Sequence, residues 1–330
     1  MKEKPSLDRW RGRPGRPLKF RLPRLSLARG WWLALVLPAL APAAETFRLA
    51  TYNLENYLDA PAGGRPVKSE AAKAKIRESI LALRPDVLAV QEMGATSALL
   101  ELQSGLRAGG LDLPHWEWVQ GWDTNIHVAV LSRFPFTARR PHTNETYLLY
   151  GRRFHVSRGF AEVDIQVNDR YSFTLMVAHL KSRRPIPEGD EAEMREQEAI
   201  ILRQKIEAIL ARNPEANLAL AGDFNDTKDL KPLRVVLGRS NARNGLVDTR
   251  PAERNGDSGV SPNPRYDPRN ITWTHFYGKE DSYSRIDFIL LSKGLAKEWR
   301  PSESYVLALA NWGEASDHRP IVVTLEAGDK

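Results

Sequence analysis

The chain contains no cysteine. That excludes disulfide staples, thiolate metal sites and cysteine nucleophiles, and it leaves the mature fold to be held by its core. No apolar run is long enough to span a bilayer: the longest, Trp31–Leu40, has about ten residues against the ~20 required. Neither a Gly-rich dinucleotide loop nor a phosphate-binding P-loop occurs, so the usual nucleotide-cofactor folds have no support. Internal repeats and long low-complexity segments are also missing. The last deficit is positional. The formal charge is +7, yet residues 1–44 hold ten Lys/Arg against two Asp/Glu and the rest holds 38 against 39. Basicity therefore belongs to the leader and gives no argument for a basic binding face.

The leader reads as an export signal: a basic segment to Arg29, the short apolar stretch, then the small residues Ala41-Pro42-Ala43-Ala44 suited to signal-peptidase cleavage. An uncleaved membrane anchor is the alternative. The expected organisation is a basic leader over 1–44 and one catalytic domain over 45–330, in a periplasmic or secreted protein. Nothing in the pattern suggests a stable protein partner, and a monomer is expected.

Within 45–330, short apolar runs predict strands at 46–52, 86–91, 127–132, 160–167, 171–179, 217–222, 285–291, 304–309 and 319–325. Many are continuous Val/Ile/Leu/Ala, as in strands buried on both faces. Helical periodicity marks 69–83, 96–107 and 190–212, with Pro85 and Pro214 stopping the first and last. Strand–helix alternation is mixed with a hairpin turned at Asn168-Asp169. The mixture predicts two stacked sheets covered outside by helices. Residues 181–190 and 250–270 read as loops that could frame a substrate groove.

The strand ends carry the chemistry. Asn53, Glu92, His179 and Asp223 each close an apolar run, Asp287 lies within one, and Asp317-His318 precede the last. Carboxylates there are costly to desolvate unless paired or metal-bound. Oxygen-rich donors without cysteine point to Mg²⁺ or Mn²⁺, with Ca²⁺ also compatible, rather than Zn²⁺. A lone histidine in such a place reads as a core residue; two beside acids fit proton transfer or charge stabilisation. Asp287 is the carboxylate expected to hold an imidazole in one tautomer. Asn225, two residues past Asp223, is expected to point the same way on an extended tip.

The segments Thr51-Tyr52-Asn53-Leu54-Glu55-Asn56, Gln91-Glu92, Ala178-His179-Leu180-Lys181-Ser182, Gly222-Asp223-Phe224-Asn225, Arg285-Ile286-Asp287-Phe288-Ile289-Leu290 and Ser316-Asp317-His318-Arg319-Pro320 together resemble the endonuclease/exonuclease/phosphatase superfamily, with its deoxyribonuclease I-like fold. They occur in that family's order across 46–325. The resemblance implies a four-layer α/β/β/α sandwich of two packed mixed sheets and a divalent-metal phosphoesterase. It implies Glu92 as direct metal ligand, with Asn53 and Asp317 on the metal side. Asp223 would activate water and Asn225 would orient water or phosphate. His179 would contact phosphate or act as general acid, Asp287 and His318 would form an acid–imidazole pair, and Arg158 would contact the scissile phosphate.

The motifs fix a reaction type rather than a substrate. The tip Asn53-Leu54-Glu55-Asn56-Tyr57 lacks the continuation of abasic-site endonucleases, which argues against a repair role. A nuclease or phosphodiesterase is the leading expectation, with nucleic acid a candidate substrate. Arg152, Arg153, Arg158, Lys181, Arg183 and Arg184 could form a local basic patch, and Trp273, His275, Tyr277 and Tyr283 could stack bases. The alternatives are a small-molecule or phospholipid phosphatase or phosphodiesterase, or a catalytically silent binding module. No convincing exposed apolar hairpin, as a phospholipid-cleaving enzyme would carry, is legible.

Overall fold

The computed structural model describes residues 45–254 and 270–328. The leader expectation and most of the 250–270 loop lie outside the described residues. In chain order the elements are β1 (Glu45–Tyr57), α1 (Glu70–Leu83), β2 (Val87–Met93), α2 (Thr96–Ala108), β3 (His115–Val119), β4 (His127–Ser132), β5 (Phe136–Arg139), β6 (Thr146–Leu149), β7 (Arg152–His155), β8 (Phe160–Asn168) and β9 (Tyr171–His179). There follow α3 (Glu191–Arg212), β10 (Leu218–Asp223), α4 (Lys231–Leu237), β11 (Val247–Asp248), β12 (Ala252–Glu253), β13 (His275–Tyr277), β14 (Ser282–Ser284), β15 (Asp287–Leu291), α5 (Lys293–Ala296), β16 (Trp299–Val306) and β17 (Ile321–Ala327).

The strands form a seven-stranded sheet, β12-β16-β17-β1-β2-β4-β3, and a six-stranded sheet, β11-β15-β10-β9-β8-β5. Both are mixed: β1 runs parallel to β2 and antiparallel to β17, while β10 runs parallel to β9 and antiparallel to β15. The continuous apolar runs have a physical reason here, because alternate side chains enter different cores. Leu49, Val87, Ala89, Leu175, Val177, Ala219 and Ala221 fill the layer between the sheets. Their chain neighbours Ala50, Leu88 and Val90 pack with Ile76 and Ile80 of α1 and Leu99 and Leu102 of α2. Met176, Ala178, Leu218 and Leu220 pack with Leu202 and Ile206 of α3 and Leu233 of α4. This is the helix–sheet–sheet–helix layering expected.

The helix ends follow their local sequence. Ser69 caps α1 by accepting from the Ala72 amide at 3.2 Å, and Arg84 closes it in a left-handed turn before Pro85. Asp190 caps α3 by accepting from the amides of Ala192 and Glu193; such caps are each worth ~1 kcal/mol. β1 runs on to Tyr57, past its expected end at 52, and three later strands shift. β15 begins at Asp287 rather than 285, β17 begins after Pro320, which has no amide to give a ladder, and β16 covers Trp299–Val306 rather than 304–309.

The antiparallel pairings position the site. Because β15 opposes β10, its first residue meets the last of β10: Asp287 is in register with Asp223. Because β9 parallels β10, Asp223 is also in register with His179. The segment before β17 arrives beside the end of β1 by the same logic, since Thr51 pairs with Ile321.

Candidate active site

Asp223 occupies the centre. It is 1% exposed. Its Oδ2 accepts from Asn53 Nδ2 at 2.9 Å and its Oδ1 from the Asn225 amide at 2.8 Å. His179 Nε2 lies 3.5 Å and His318 Nε2 3.8 Å from Oδ2. Burial raises the Asp223 carboxyl well above the ordinary carboxylate range; His318 opposes the rise and Asp287 adds to it.

Asp287 and His318 form the expected pair, Oδ2 to Nδ1 at 2.8 Å. Burial alone would lower His318, but Asp287, Asp223 and Asp317 outweigh it and lift the imidazole to about 10. With Nδ1 engaged by Asp287, Nε2 faces Asp223 and Asp317, both at 3.8 Å. Thr274 supports this arrangement: its Oγ1 accepts the amides of Ile286 and Asp287, and its carbonyl accepts the Arg319 amide. Ser316 Oγ donates to the Asn53 carbonyl and accepts the His318 amide, tying the loop to β1.

His179 behaves oppositely. Burial, with Arg158, His318 and Arg65 nearby, holds it well below the ordinary imidazole range. That shift favours the neutral imidazole, which suits a hydrogen-bonding role. Arg158 is buried and donates to the Leu180 carbonyl at 3.3 Å. Asn225 corrects the sequence expectation. It is not extended: φ is 53°, and its side-chain Nδ2 donates to the Leu180 carbonyl at 3.0 Å. A left-handed asparagine is tolerated because its short polar side chain bonds locally.

Glu92 also adopts a left-handed backbone, φ 59°, and accepts the Asn56 amide through Oε2, with Oε1 3.9 Å from His179 Nε2. The charges of Glu92 and Asp317 both reach Glu55 and Lys68. Among the described residues, the groups of three His/Asp/Glu donors close enough to share an ion are His275–Asp317–His318 and Asp223–Asp287–His318. Glu92 joins neither. The acids nevertheless fit a hard cation. Burial raises the Glu55 carboxyl, and the charges of Asp317 and Glu92 raise it further against Lys68. A divalent ion would relieve that negative field, and a Mg²⁺-like ion needs one or two carboxylates plus water.

Four supporting residues escaped the sequence reading. Glu198 of α3, fully buried, accepts the Ser157 amide and hydroxyl and the Lys181 amide at 2.9, 2.7 and 2.6 Å. One turn earlier, Arg195 donates to Asp226 at 3.0 Å and to the Lys181 carbonyl at 3.1 Å. One helix face thus braces the segments carrying Arg158, His179 and Asn225. His275, named only as a stacking candidate, has Nε2 3.6 Å from Asp317 Oδ2, and Thr274 was not singled out. Of the other stacking candidates, Tyr277 and Tyr283 are exposed, whereas Trp273 packs against the Arg319 guanidinium at 3.3 Å.

The chain belongs to the Endonuclease/Exonuclease/phosphatase family, which it matches over residues 50–318. Members of the family are phosphoester hydrolases. No curated protein matches the chain by sequence. Among solved structures, the human Nocturnin catalytic domain with bound sulfate superposes with a TM-score of 0.59 at 18% identity, covering 86% of this chain and 95% of that one. The 3′ phosphatase NExo from Neisseria, bound to a product DNA hairpin, gives 0.56 at 16%, covering 85% and 99%. Sphingomyelinase C from Streptomyces griseocarneus gives 0.54 at 17%, covering 86% and 100%. At these identities the likeness establishes the shared fold.

Proposed function

We propose that the protein is an exported, divalent-metal-dependent phosphodiesterase, with nucleic acid the leading substrate class. One observation carries the reading. Asn53, His179, Asp223, Asp287 and His318, from five separate segments, form one buried array linked through the Asn53–Asp223 and Asp287–His318 bonds of 2.9 and 2.8 Å. The DNA hairpin bound to the Neisseria relative supports the substrate class.

In the proposed step water attacks phosphorus in line with the leaving oxygen. Asp223, with its raised affinity for a proton, accepts the proton from that water, while Asn53 and the Asn225 amide fix the carboxylate. As the new P–O bond forms and the ester P–O bond breaks, charge gathers on the phosphoryl and leaving oxygens. The His318 imidazolium, kept charged by Asp287, faces that charge, and Arg158 and neutral His179 bind the phosphoryl oxygens. Glu92, Asn53 and Asp317 would hold the cation, which when bound supplies Lewis-acid stabilisation of the same oxygens.

The test is hydrolysis of bis-p-nitrophenyl phosphate by the full-length chain with Mg²⁺, Mn²⁺ or EDTA. Release that depends on the metal is expected; none under any condition would support a silent binding module. Plasmid DNA, RNA, sphingomyelin and phosphomonoesters then rank the substrates. Export rests on the leader pattern, and N-terminal sequencing of protein from the cell exterior should begin near Glu45.

A further inference from the structure

Trp122 is 66% exposed. One indole face lies flat on His155, with centroids 3.8 Å apart and planes 6° from parallel. Among the described residues no other ring touches it. Its chain neighbours are fastened to the phosphate arginine. The Asp123 amide donates to the Ser157 carbonyl at 2.7 Å, and Asp123 Oδ2 lies 3.8 Å from Arg158 Nε. A Cβ on Gly121 would stand 2.2 Å from the Arg158 carbonyl carbon, so only glycine permits that approach. The loop is thus held rigidly beside Arg158 with a large aromatic surface left in water.

The β6–β7 hairpin extends this surface. Thr146 pairs with His155 and Leu148 with Arg153. Side chains alternate across a hairpin, so these four share one face, while Tyr147 and Phe154 turn to the core. Arg152 and Arg153 are exposed, with no ion-pair partner among the described residues. The same hairpin carries Leu148 and Tyr150, 68% and 61% exposed.

We propose that Trp122, backed by His155, is a stacking platform for the nucleobase next to the scissile phosphate, with Arg153 meeting a neighbouring phosphate. This rests on the phosphodiesterase reading and assigns its substrate as single-stranded nucleic acid. A flat ring supported from behind offers a π-face that any base fits. The unpaired guanidinium beside it complements a polyanion. A lipid surface would favour unsupported aliphatic tips, and here Leu148 stands beside that same Arg153.

Binding and turnover are measured separately. In full-length chain carrying Asp223→Asn, affinity for a short fluorescein-labelled oligothymidylate is read by anisotropy. Adding Trp122→Ala should weaken it roughly 5- to 150-fold, the range given by loss of one base–aromatic stack, and Trp122→Phe should recover most of it. With Asp223 intact, Trp122→Ala should raise KM for the oligonucleotide more than it lowers kcat, with a native circular-dichroism spectrum. Equal oligonucleotide affinity with and without Trp122 overturns the platform. So does absence of oligonucleotide binding, or Trp122-dependent binding to phosphatidylcholine–sphingomyelin vesicles in its place. If turnover is absent while Trp122-dependent binding persists, the hydrolase reading falls and the platform stands.

Discussion

At the residue scale, the two imidazoles show how environment divides one residue type into two roles. His179 and His318 both lie close to Asp223, yet burial beside cations keeps the first neutral, and a bonded carboxylate keeps the second charged. The charge on His318 has a thermodynamic signature. Its folded value of about 10 exceeds the ordinary 6.5, so the folded state binds the additional proton. The resulting stability is complete below about pH 6.5 and is lost as pH rises toward 10. In EDTA-treated protein, the gap in urea midpoint between wild type and His318→Gln should narrow over that range; a constant gap would mean a neutral imidazole. Asp223→Asn should lower turnover by ~10²–10⁴-fold with a native circular-dichroism spectrum, and retained activity would remove Asp223 from its role. Glu92→Gln should raise the metal concentration for half-maximal rate, and an unchanged titration would remove Glu92 from the ligand set.

At the scale of elements, α3 is the brace. Glu198→Ala leaves the buried Lys181 amide without its acceptor, at about 1–3 kcal/mol, and frees the partly buried Ser157 amide as well. Urea unfolding should show a loss of that order, and the Kd for substrate analogues should rise because Arg158 and His179 lie beside the freed amides. This brace was not legible beforehand. Glu198 sits in a helix crowded with charges, and nothing in its periodicity separates it from solvated neighbours; its burial follows from which segments α3 covers. The continuous apolar strands and the stop at Pro85 were legible, because an apolar run and a helix-breaking proline are local signals. β3 was not, since half-buried Trp116, Glu117 and Trp118 give no clean alternation, nor was the left-handed turn at Asn225. Candidate site residues could be named from strand ends, but the register placing Asp223 between His179 and Asp287 is a property of the assembled sheet. Gly222 shows how close that assembly is. Its φ is 144°, and a Cβ there would lie 1.9 Å from the Ala178 carbonyl oxygen. Gly222→Ala should cost about 3 kcal/mol in urea unfolding, by prying β10 from β9.

For the whole molecule, charge is local rather than global. The portion after residue 44 is near neutral, so association with a polyanion should depend on a few arginines. If Arg153 and Arg158 each meet one phosphate, the slope of log K against log salt should be about −1.4 for a single strand; a slope several times steeper would require a broad basic face. The placement of β17 has a separate outcome. β17 lies between β16 and β1, inside the seven-stranded sheet and not at its rim. Asn53, Glu92 and Asp223 all precede it in the sequence, and its insertion brings His318 to them. The site is therefore complete only once β17 is seated, so a truncation before Arg319 should leave an inert, aggregation-prone product.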